Sequence, residues 1–204
     1  MLREETEPHV LNPRRVAILD AALEVFAEEG VAAASIERIR ELSGASTGSI
    51  YHHFGSKEGI AGALYVACLA DYQREFLRAV EAQDRARDFI EAGVRQHLAW
   101  VAANRERAIF LTTAREALTL ADLAELRELN SRFFGRLKQL FAPWIEAGRL
   151  RNLPLNLLEA IWIGPSQEIT RHWLAGRVET LEGAADTLAT AAWNALKTHN
   201  KETR

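Results

Sequence analysis

The chain has little cysteine and no long hydrophobic run. Cys68 is the single cysteine among 204 residues, so an intramolecular disulfide framework is excluded. The longest nearly apolar segment, GIAGALYVACLA, has 12 residues, whereas a membrane-spanning helix needs about 20. The first residues, MLREETEPHV, are acidic where a secretory signal would be basic and then apolar. We therefore expect a cytoplasmic protein that has no membrane partner.

Sequence motifs of enzymes and metal sites are also missing. The chain contains no glycine-rich phosphate loop, no nucleophile elbow and no HExxH pair of histidines. The adjacent His52 and His53 would point about 100° apart on a helix and could not chelate one metal ion together. Cys68 lies among apolar residues, which favours a small buried hydrophobic side chain over a redox-sensing thiol. We expect neither catalytic activity nor a cofactor, and no bound metal.

Neither sign of charge dominates the chain. It carries 25 Lys and Arg against 28 Asp and Glu, a net charge of −3, so the total charge does not indicate a nucleic-acid binder. Hydrophobic residues make up 48% of the sequence. At this length they can form a sizeable core, either in one large domain or in a small domain joined to a larger one.

Apolar residues recur at helical spacing almost throughout the chain. In the first helical segment Val16 and Leu19 lie on one face, Pro13 suits the first turn and Gly30 suits the end. No alternating β-branched segment of strand length appears, so we predict an all-α fold. Pro165 should kink or interrupt its helix, because it removes a backbone donor. The predicted helices cover residues 13–29, 35–44, 46–54, 57–80, 84–103, 105–118, 121–147, 155–175 and 179–198.

Two short helices joined by Gly44-Ala45 follow the first long helix, which predicts a three-helix unit ending in a helix-turn-helix. In such units the second short helix, here STGSIYHHF at 46–54, enters the major groove of DNA. Its small residues at 47–49 would let the helix N-terminus approach phosphates and base edges. Ile50 and Phe54 can face the core together, which leaves the other aromatic side chains free. The alternative interpretation is a capped surface helix whose aromatic residues only pack.

The run from Arg14 to Lys57 resembles the N-terminal DNA-binding domain of the TetR/AcrR family of bacterial transcriptional regulators. The resemblance rests on an ordered set of motifs: the A…F…G end of the first helix, the capped second helix, YHHF, and the following SKE. It implies an all-α homodimer, usually a repressor, that binds a near-palindromic operator in double-stranded DNA. The implied domains are a helix-turn-helix domain at 1–57 and a helical domain for effector binding and dimerisation at 58–204. In this family a small molecule in the second domain changes the spacing of the two DNA-binding units.

The resemblance also implies which residues contact DNA. Thr47, Gly48 and Ser49 match positions that approach bases, although position 47 is often lysine or arginine and position 52 is often tyrosine in such proteins. The first 57 residues contain six basic and nine acidic side chains, so binding must depend on where the basic residues lie. The predicted contacts are Arg14, Ser35, Ser46, Thr47, Gly48, Ser49, Tyr51, His52, His53 and Lys57.

The sequence of the C-terminal domain predicts an apolar cavity and a dimer interface. Large rings lie along its helices, and the proline-interrupted helix should hinder close packing, so we expect a small hydrophobic or aromatic effector. The predicted effector-binding residues are His97, Trp100, Phe110, Arg115, Trp162 and Glu168. The alternative is that most of the rings are core, and that Glu168, Arg171 and His172 form a surface network. Helices 155–175 and 179–198 should form an isologous four-helix interface through Leu157, Ile161, Leu188, Ala192 and Trp193.

A second function class uses the same amphipathic helices without DNA. The chain could be a helical interaction or scaffold protein that does not recognise DNA. The order of YHHF and SKE after a capped helix favours the transcriptional regulator over the scaffold.

Overall fold

The computed structural model describes residues 12–198, which contain ten α-helices, a short 3₁₀ helix and no β-strand. The predicted all-α fold is confirmed. Residues 1–11 and 199–204, at the ends of the two predicted domains, lie outside the described residues. The helices are α1 (Pro13–Ala33), α2 (Ile36–Ser43), α3 (Thr47–Phe54), α4 (Lys57–Glu81), α5 (Ala86–Ala103), α6 (Arg105–Thr113), α7 (Leu120–Glu146), α8 (Leu155–Trp162), α9 (Gly164–Leu174) and α10 (Ala184–Leu196), with the 3₁₀ helix at Ala114–Ala117.

Most helix bounds agree with the prediction, and three regions differ. The predicted helix 155–175 is two helices, because Pro165 lies in the first turn of α9 and cannot donate to the preceding turn. The predicted helix 105–118 ends at Thr113 and continues as a 3₁₀ turn. The last helix begins at Ala184 rather than at 179, because residues 175–183 form turns. At Gly30 (φ 75°, ψ 157°) α1 breaks where the sequence predicted its end.

One apolar core joins the first three helices to α4 and α6. Ile18 and Phe26 of α1, Ile39 of α2 and Ile50 of α3 are all at most 1% exposed. Phe110 of α6 is fully buried in the same cluster, and its ring stacks on Phe26 with centroids 5.8 Å apart. Helix α1, the first helix of the three-helix unit, is therefore packed directly onto α6.

A second apolar core surrounds Trp162 and contains residues of α4, α5, α7, α8 and α10. The Trp162 indole Nε1 donates to the Ile90 carbonyl at 2.8 Å, which satisfies its one polar atom. A Cβ added at Gly93 would lie 2.2 Å from the Trp162 ring. Only glycine allows this approach between α5 and α8. Because α4 contributes to both cores, it connects the three-helix unit to the rest of the protein.

None of the helices within residues 12–198 is long and apolar enough to cross a membrane. The same range contains no group of three or more His, Cys, Asp or Glu side chains that could hold a metal ion.

Candidate functional site

The α2–α3 unit is built by side-chain caps at both helix starts. Ser35 Oγ accepts from the Arg38 amide and Ser46 Oγ accepts from the Ser49 amide, both at 3.2 Å. These bonds satisfy amide groups that would otherwise lack a partner at the helix ends. Gly44, between the two helices, has φ 63°, a conformation that glycine adopts without strain. The predicted helix-turn-helix is confirmed.

Helix α3 separates a buried side from an exposed side. Ile50 is 1% exposed and Phe54 packs against the same core, as predicted. Tyr51 is 51% exposed, and the space around Gly48 is open, since nothing lies within 4 Å of an added Cβ. None of the ten predicted DNA contacts is buried. Arg14, Ser35, Ser46, Thr47, Gly48, Tyr51 and His52 are exposed, and Ser49, His53 and Lys57 are partly exposed.

Lys57 has a structural role that the sequence did not reveal. Its Nζ donates to the carbonyl oxygens of Ala32 and Ala34, both at 2.8 Å. The first residue of α4 is thereby bonded to the turn between α1 and α2. An ammonium group has three N–H donors, so one remains for the phosphate contact predicted for this residue.

The charges on α2 are largely paired within the helix. Arg40 binds Glu37 through two nitrogens, with contacts of 2.6 to 2.9 Å, and this hydrogen bonding lowers the pKa of Glu37. Arg38 lies 4.0 Å from Glu41. On α1, the Arg15 guanidinium lies over the Phe54 ring, 5.3 Å from its centroid. The acidic residues of α2 are thus partly neutralised by arginines three residues away.

Two cavities lie side by side in the C-terminal part. The aromatic chamber, of about 290 Å³, is lined by rings that include Phe76, Phe133 and Trp162. The His97 chamber, of about 340 Å³, is lined by His97, Trp100 and side chains of α6 and α9. Leu69, Tyr72 and Gln167 line both chambers, so these three residues form the partition between them.

Four of the six predicted effector residues line these chambers. Arg115 and Trp162 line the aromatic chamber, and His97 and Trp100 line the other. The remaining two lie elsewhere. Phe110 is fully buried between Phe26 and Tyr65, where it joins helices rather than lining a cavity. Glu168 is exposed beside Arg171 and His172, with His172 Nε2 at 2.9 Å, which is the arrangement of the surface-network alternative.

Tyr72 of the partition and His97 of the neighbouring chamber form a buried polar pair. The Tyr72 hydroxyl and His97 Nδ1 are 2.9 Å apart, and His97 is 6% exposed. Burial lowers the pKa of His97 to about 4, so its imidazole is neutral at pH 7. Burial also raises the pKa of Tyr72, and the nearby charge of Glu159 adds to that shift. Within residues 12–198, neither His97 Nε2 nor the buried Ser166 Oγ has a hydrogen-bond partner.

Asp71 connects the His97 chamber to α6. Its Oδ2 accepts from Trp100 Nε1 and from Arg107 Nη1, each at 3.1 Å. Trp100 is a wall of the chamber, and Arg107 lies on the helix that packs on α1. Sequence reasoning missed Asp71, Arg107 and Tyr72, because these partners are 25 to 36 residues apart and no motif marks them.

The predicted interface residues differ in their surroundings. Leu157 is 45% exposed, whereas Ala192 is 5% exposed. Ala192 lies on the face of α10 that packs against α5 within the same protomer, together with Ala189 and Leu196. Ile161, Leu188 and Trp193 are partly buried against the core around Trp162.

Comparison with known proteins identifies the N-terminal domain. Residues 18–64 match the family model described as bacterial regulatory proteins, tetR family. The chain is 29% identical over 136 residues to the HTH-type transcriptional repressor KstR2 of Rhodococcus jostii, a match that covers 66% of this chain and 65% of that protein. The chain thus spans just under two thirds of the length of this relative.

Solved structures of similar fold cover most of the chain. A TetR family transcription regulator from Marinobacter aquaeolei superposes with a TM-score of 0.75 at 18% identity, covering 92% of this chain and 97% of the other. FadR from Bacillus subtilis, solved in complex with stearoyl-CoA, has a TM-score of 0.72 at 19% identity and covers 88% of this chain and 95% of its own. With the capped helix-turn-helix, these observations lead to one conclusion: the N-terminal part of the chain is a DNA-binding domain of the tetR family of bacterial regulatory proteins, and the chain as a whole has the fold of TetR family regulators.

Proposed function

We propose that this regulator is a homodimer that represses transcription by binding a near-palindromic operator, and that a small apolar effector releases it from DNA. The observation that carries the proposal is the exposed face of α3, capped at Ser46 and fixed to the core by Ile50. A two-fold dimer presents two such helices to successive major grooves, about 34–36 Å apart or somewhat more. The repressor role is supported by KstR2, a relative described as a repressor.

The DNA contact is proposed to begin at the first turn of α3. The open space around Gly48 allows this turn to approach the DNA backbone closely. Thr47 and Ser49 are proposed to meet base edges, while Tyr51 and the following histidines contact phosphate oxygens or the groove edge. Arg14, Ser35, Ser46 and Lys57 complete the proposed phosphate contacts.

The effector is proposed to bind in the two chambers of the C-terminal part, through His97, Trp100, Arg115 and Trp162. Their lining is mainly aromatic and aliphatic, which suits an apolar ligand. FadR of Bacillus subtilis, which has the same fold, was solved with stearoyl-CoA. The stearoyl chain of that ligand is apolar, which supports an effector with an apolar part here.

Release from DNA requires that the effector bind one arrangement of the dimer better than the other. We propose that the change passes from Trp100 through Asp71 to Arg107 on α6. Helix α6 then acts on α1 through the stacked rings of Phe110 and Phe26. The proposed division into a DNA-binding domain at 1–57 and an effector domain at 58–204 fits a change that passes from the effector chamber to α1.

The dimer is proposed to form through α8, α9 and α10. Leu157 supports this proposal, because a leucine that is 45% exposed in one protomer could be covered by a partner. Since bacterial DNA lies in the cytoplasm, the regulator is proposed to act there.

Selection of duplex DNA from a random pool tests the proposal. The protein is immobilised at low salt, and the retained duplexes are sequenced and footprinted. We expect a near-palindromic site with two half-sites. Retention of no duplex at all would refute operator binding, whereas a single asymmetric half-site would refute the dimeric mode.

A further inference from the structure

His97 presents an unsatisfied nitrogen inside an otherwise well-paired region. The side chain is 6% exposed and lines the His97 chamber, yet its Nε2 has no hydrogen-bond partner within the described range. Buried polar atoms without partners are uncommon in folded proteins, because losing contact with water is then uncompensated. Such an atom at the wall of a cavity indicates a bound group that supplies the missing partner.

The hydrogen bond on the other side of the ring defines what Nε2 can do. The buried Tyr72 hydroxyl has one hydrogen-bond partner among residues 12–198, which is His97 Nδ1. If Nδ1 carried the proton, the phenolic proton would lack an acceptor. The arrangement that pairs both groups has Tyr72 donating to Nδ1, and the neutral ring then carries its one proton on Nε2. Nε2 is therefore a donor.

The nearest acceptor that the protein offers Nε2 is the Ser166 backbone. Its hydrogen-bonding interaction with His97 opposes in part the lowering of the His97 pKa that burial causes. Its contact with Nε2 does not have the geometry of a hydrogen bond, and the Ser166 carbonyl also accepts from Thr170 Oγ1 at 3.0 Å. A ligand acceptor in the chamber would be better placed.

The chamber has little free charge to attract an ion. The guanidinium of Arg171, which also lines it, is paired with Glu168. The hydroxyls of Thr112 and Thr170 donate to helix carbonyls, with bonds of 2.7 and 3.0 Å. The remaining walls include Trp100, Val101, Leu111 and Leu174, which are apolar.

We propose that His97 is the polar anchor of the effector and that its Nε2 donates to an uncharged oxygen acceptor, such as a ketone, ester or thioester carbonyl, on an apolar ligand. This inference rests on the proposed effector site and specifies the chemistry of its ligand. Tyr72 acts as a positioning residue, because its hydroxyl holds the proton on Nε2.

Three matched probes test this assignment: 2-acetylnaphthalene, 1-(2-naphthyl)ethanol and 2-ethylnaphthalene. They share one ring system and differ in whether the substituent accepts, both donates and accepts, or does neither. Binding is followed by quenching of tryptophan fluorescence and by thermal stabilisation. We expect the ketone to bind wild-type protein about tenfold more tightly than the hydrocarbon, which corresponds to one neutral hydrogen bond.

Three variants locate the donor and test its positioning residue. His97→Phe keeps an aromatic ring at this position but removes the Nε2 donor, so the variant should bind the ketone and the hydrocarbon equally. Gln167→Leu removes the other polar side chain of the partition and should keep the tenfold preference. Tyr72→Phe should reduce the preference for the ketone over the hydrocarbon, because the imidazole proton is then no longer held on Nε2. Thermal unfolding of each variant without probe reports whether it folds.

A stronger preference for the alcohol would overturn the donor assignment, and so would a ketone preference that survives in folded His97→Phe. Equal binding of all three probes, or no binding, would also overturn the proposal. Operator retention by the same samples is measured separately. If it persists while the probe preference is absent, the proposed DNA-binding function stands without this anchor.

Discussion

Trp100 and Arg107, seven positions apart on different helices, donate to the same oxygen of Asp71, each at 3.1 Å. One carboxylate on α4 therefore connects a wall of the His97 chamber to the helix that packs on α1. The interaction is partly sheltered, since the Asp71 side chain is 24% exposed.

Asp71→Asn should loosen α6. The amide oxygen can still accept from Trp100, but the charge that holds Arg107 is lost, at a cost of about 1 kcal/mol in the free energy of unfolding. We expect faster hydrogen exchange of the α6 backbone amides. Glu75→Gln, which breaks the ion pair with Arg78 on the same helix, is the control and should leave α6 unchanged. Equal exchange in the two variants would contradict the proposed connection.

Lys57→Met should destabilise the protein even without DNA. The variant loses two hydrogen bonds to the Ala32 and Ala34 carbonyls, which should lower the free energy of unfolding by about 1–3 kcal/mol. Lys138→Met makes the same change on an exposed position of α7 and should have little effect. Thermal unfolding distinguishes the two roles. If Lys57 only bound phosphate, its substitution would lower DNA affinity and leave the melting temperature unchanged.

Gly93→Ala should be strongly destabilising, because the new methyl group would lie 2.2 Å from the Trp162 ring. We expect a loss of about 1–3 kcal/mol, typical of overpacking. Gly135→Ala is the matched control, since nothing lies within 4 Å of its added Cβ in α7. This second change should stabilise the folded protein by roughly 0.5–1 kcal/mol. Urea unfolding measures both, and similar midpoints would show that α5 and α8 can separate freely.

Tyr51→Ala and Thr47→Ala should affect DNA binding in different ways. A phosphate contact at Tyr51 predicts a uniform loss of about two- to tenfold across all duplexes. A base contact at Thr47 predicts a changed sequence preference instead. Leu120→Ala, at an 85% exposed position at the start of α7, serves as the control. Competition binding with operator variants measures both effects. If the loss of DNA affinity in Tyr51→Ala depended on the sequence, Tyr51 would contact bases rather than phosphate.

Leu157→Asp should produce monomers. Leu157 is 45% exposed, so the charge costs the protomer little, but it would be buried without a partner in the proposed interface. Sedimentation at micromolar concentration should show half the wild-type mass and weaker operator binding. Leu120→Asp, at another exposed leucine, should remain dimeric. A dimeric Leu157→Asp protein would place the interface away from α8.

The helix-turn-helix was predictable because its determinants are local. Ser35 and Ser46 lie next to the amides they cap, Gly44 lies between the helices, and Ile50 and Phe54 share a face at helical spacing. Pro165 likewise acts on its own turn. In each of these cases the interacting residues are only a few positions apart in the sequence, so the sequence pattern alone shows the interaction.

The effector region was predicted less completely because it depends on packing between helices. His97 was a candidate from its residue type, but Tyr72, which sets its proton, is 25 residues away on α4. Phe110 is an aromatic residue of the type that often lines ligand cavities, yet its ring stacks on Phe26. Helical periodicity gives an apolar face and cannot decide whether a cavity or another helix covers it.

The position of Tyr72 between the two chambers has a consequence for ligand size. A compact molecule fits in the His97 chamber beside an intact Tyr72–His97 pair. An elongated molecule that occupies both cavities, of about 340 and 290 Å³, has to displace side chains of the partition, and displacement of the Tyr72 phenol would break its 2.9 Å hydrogen bond with His97. The partition therefore acts as a length threshold: short and long molecules of the same chemistry would leave the protein in two different internal states.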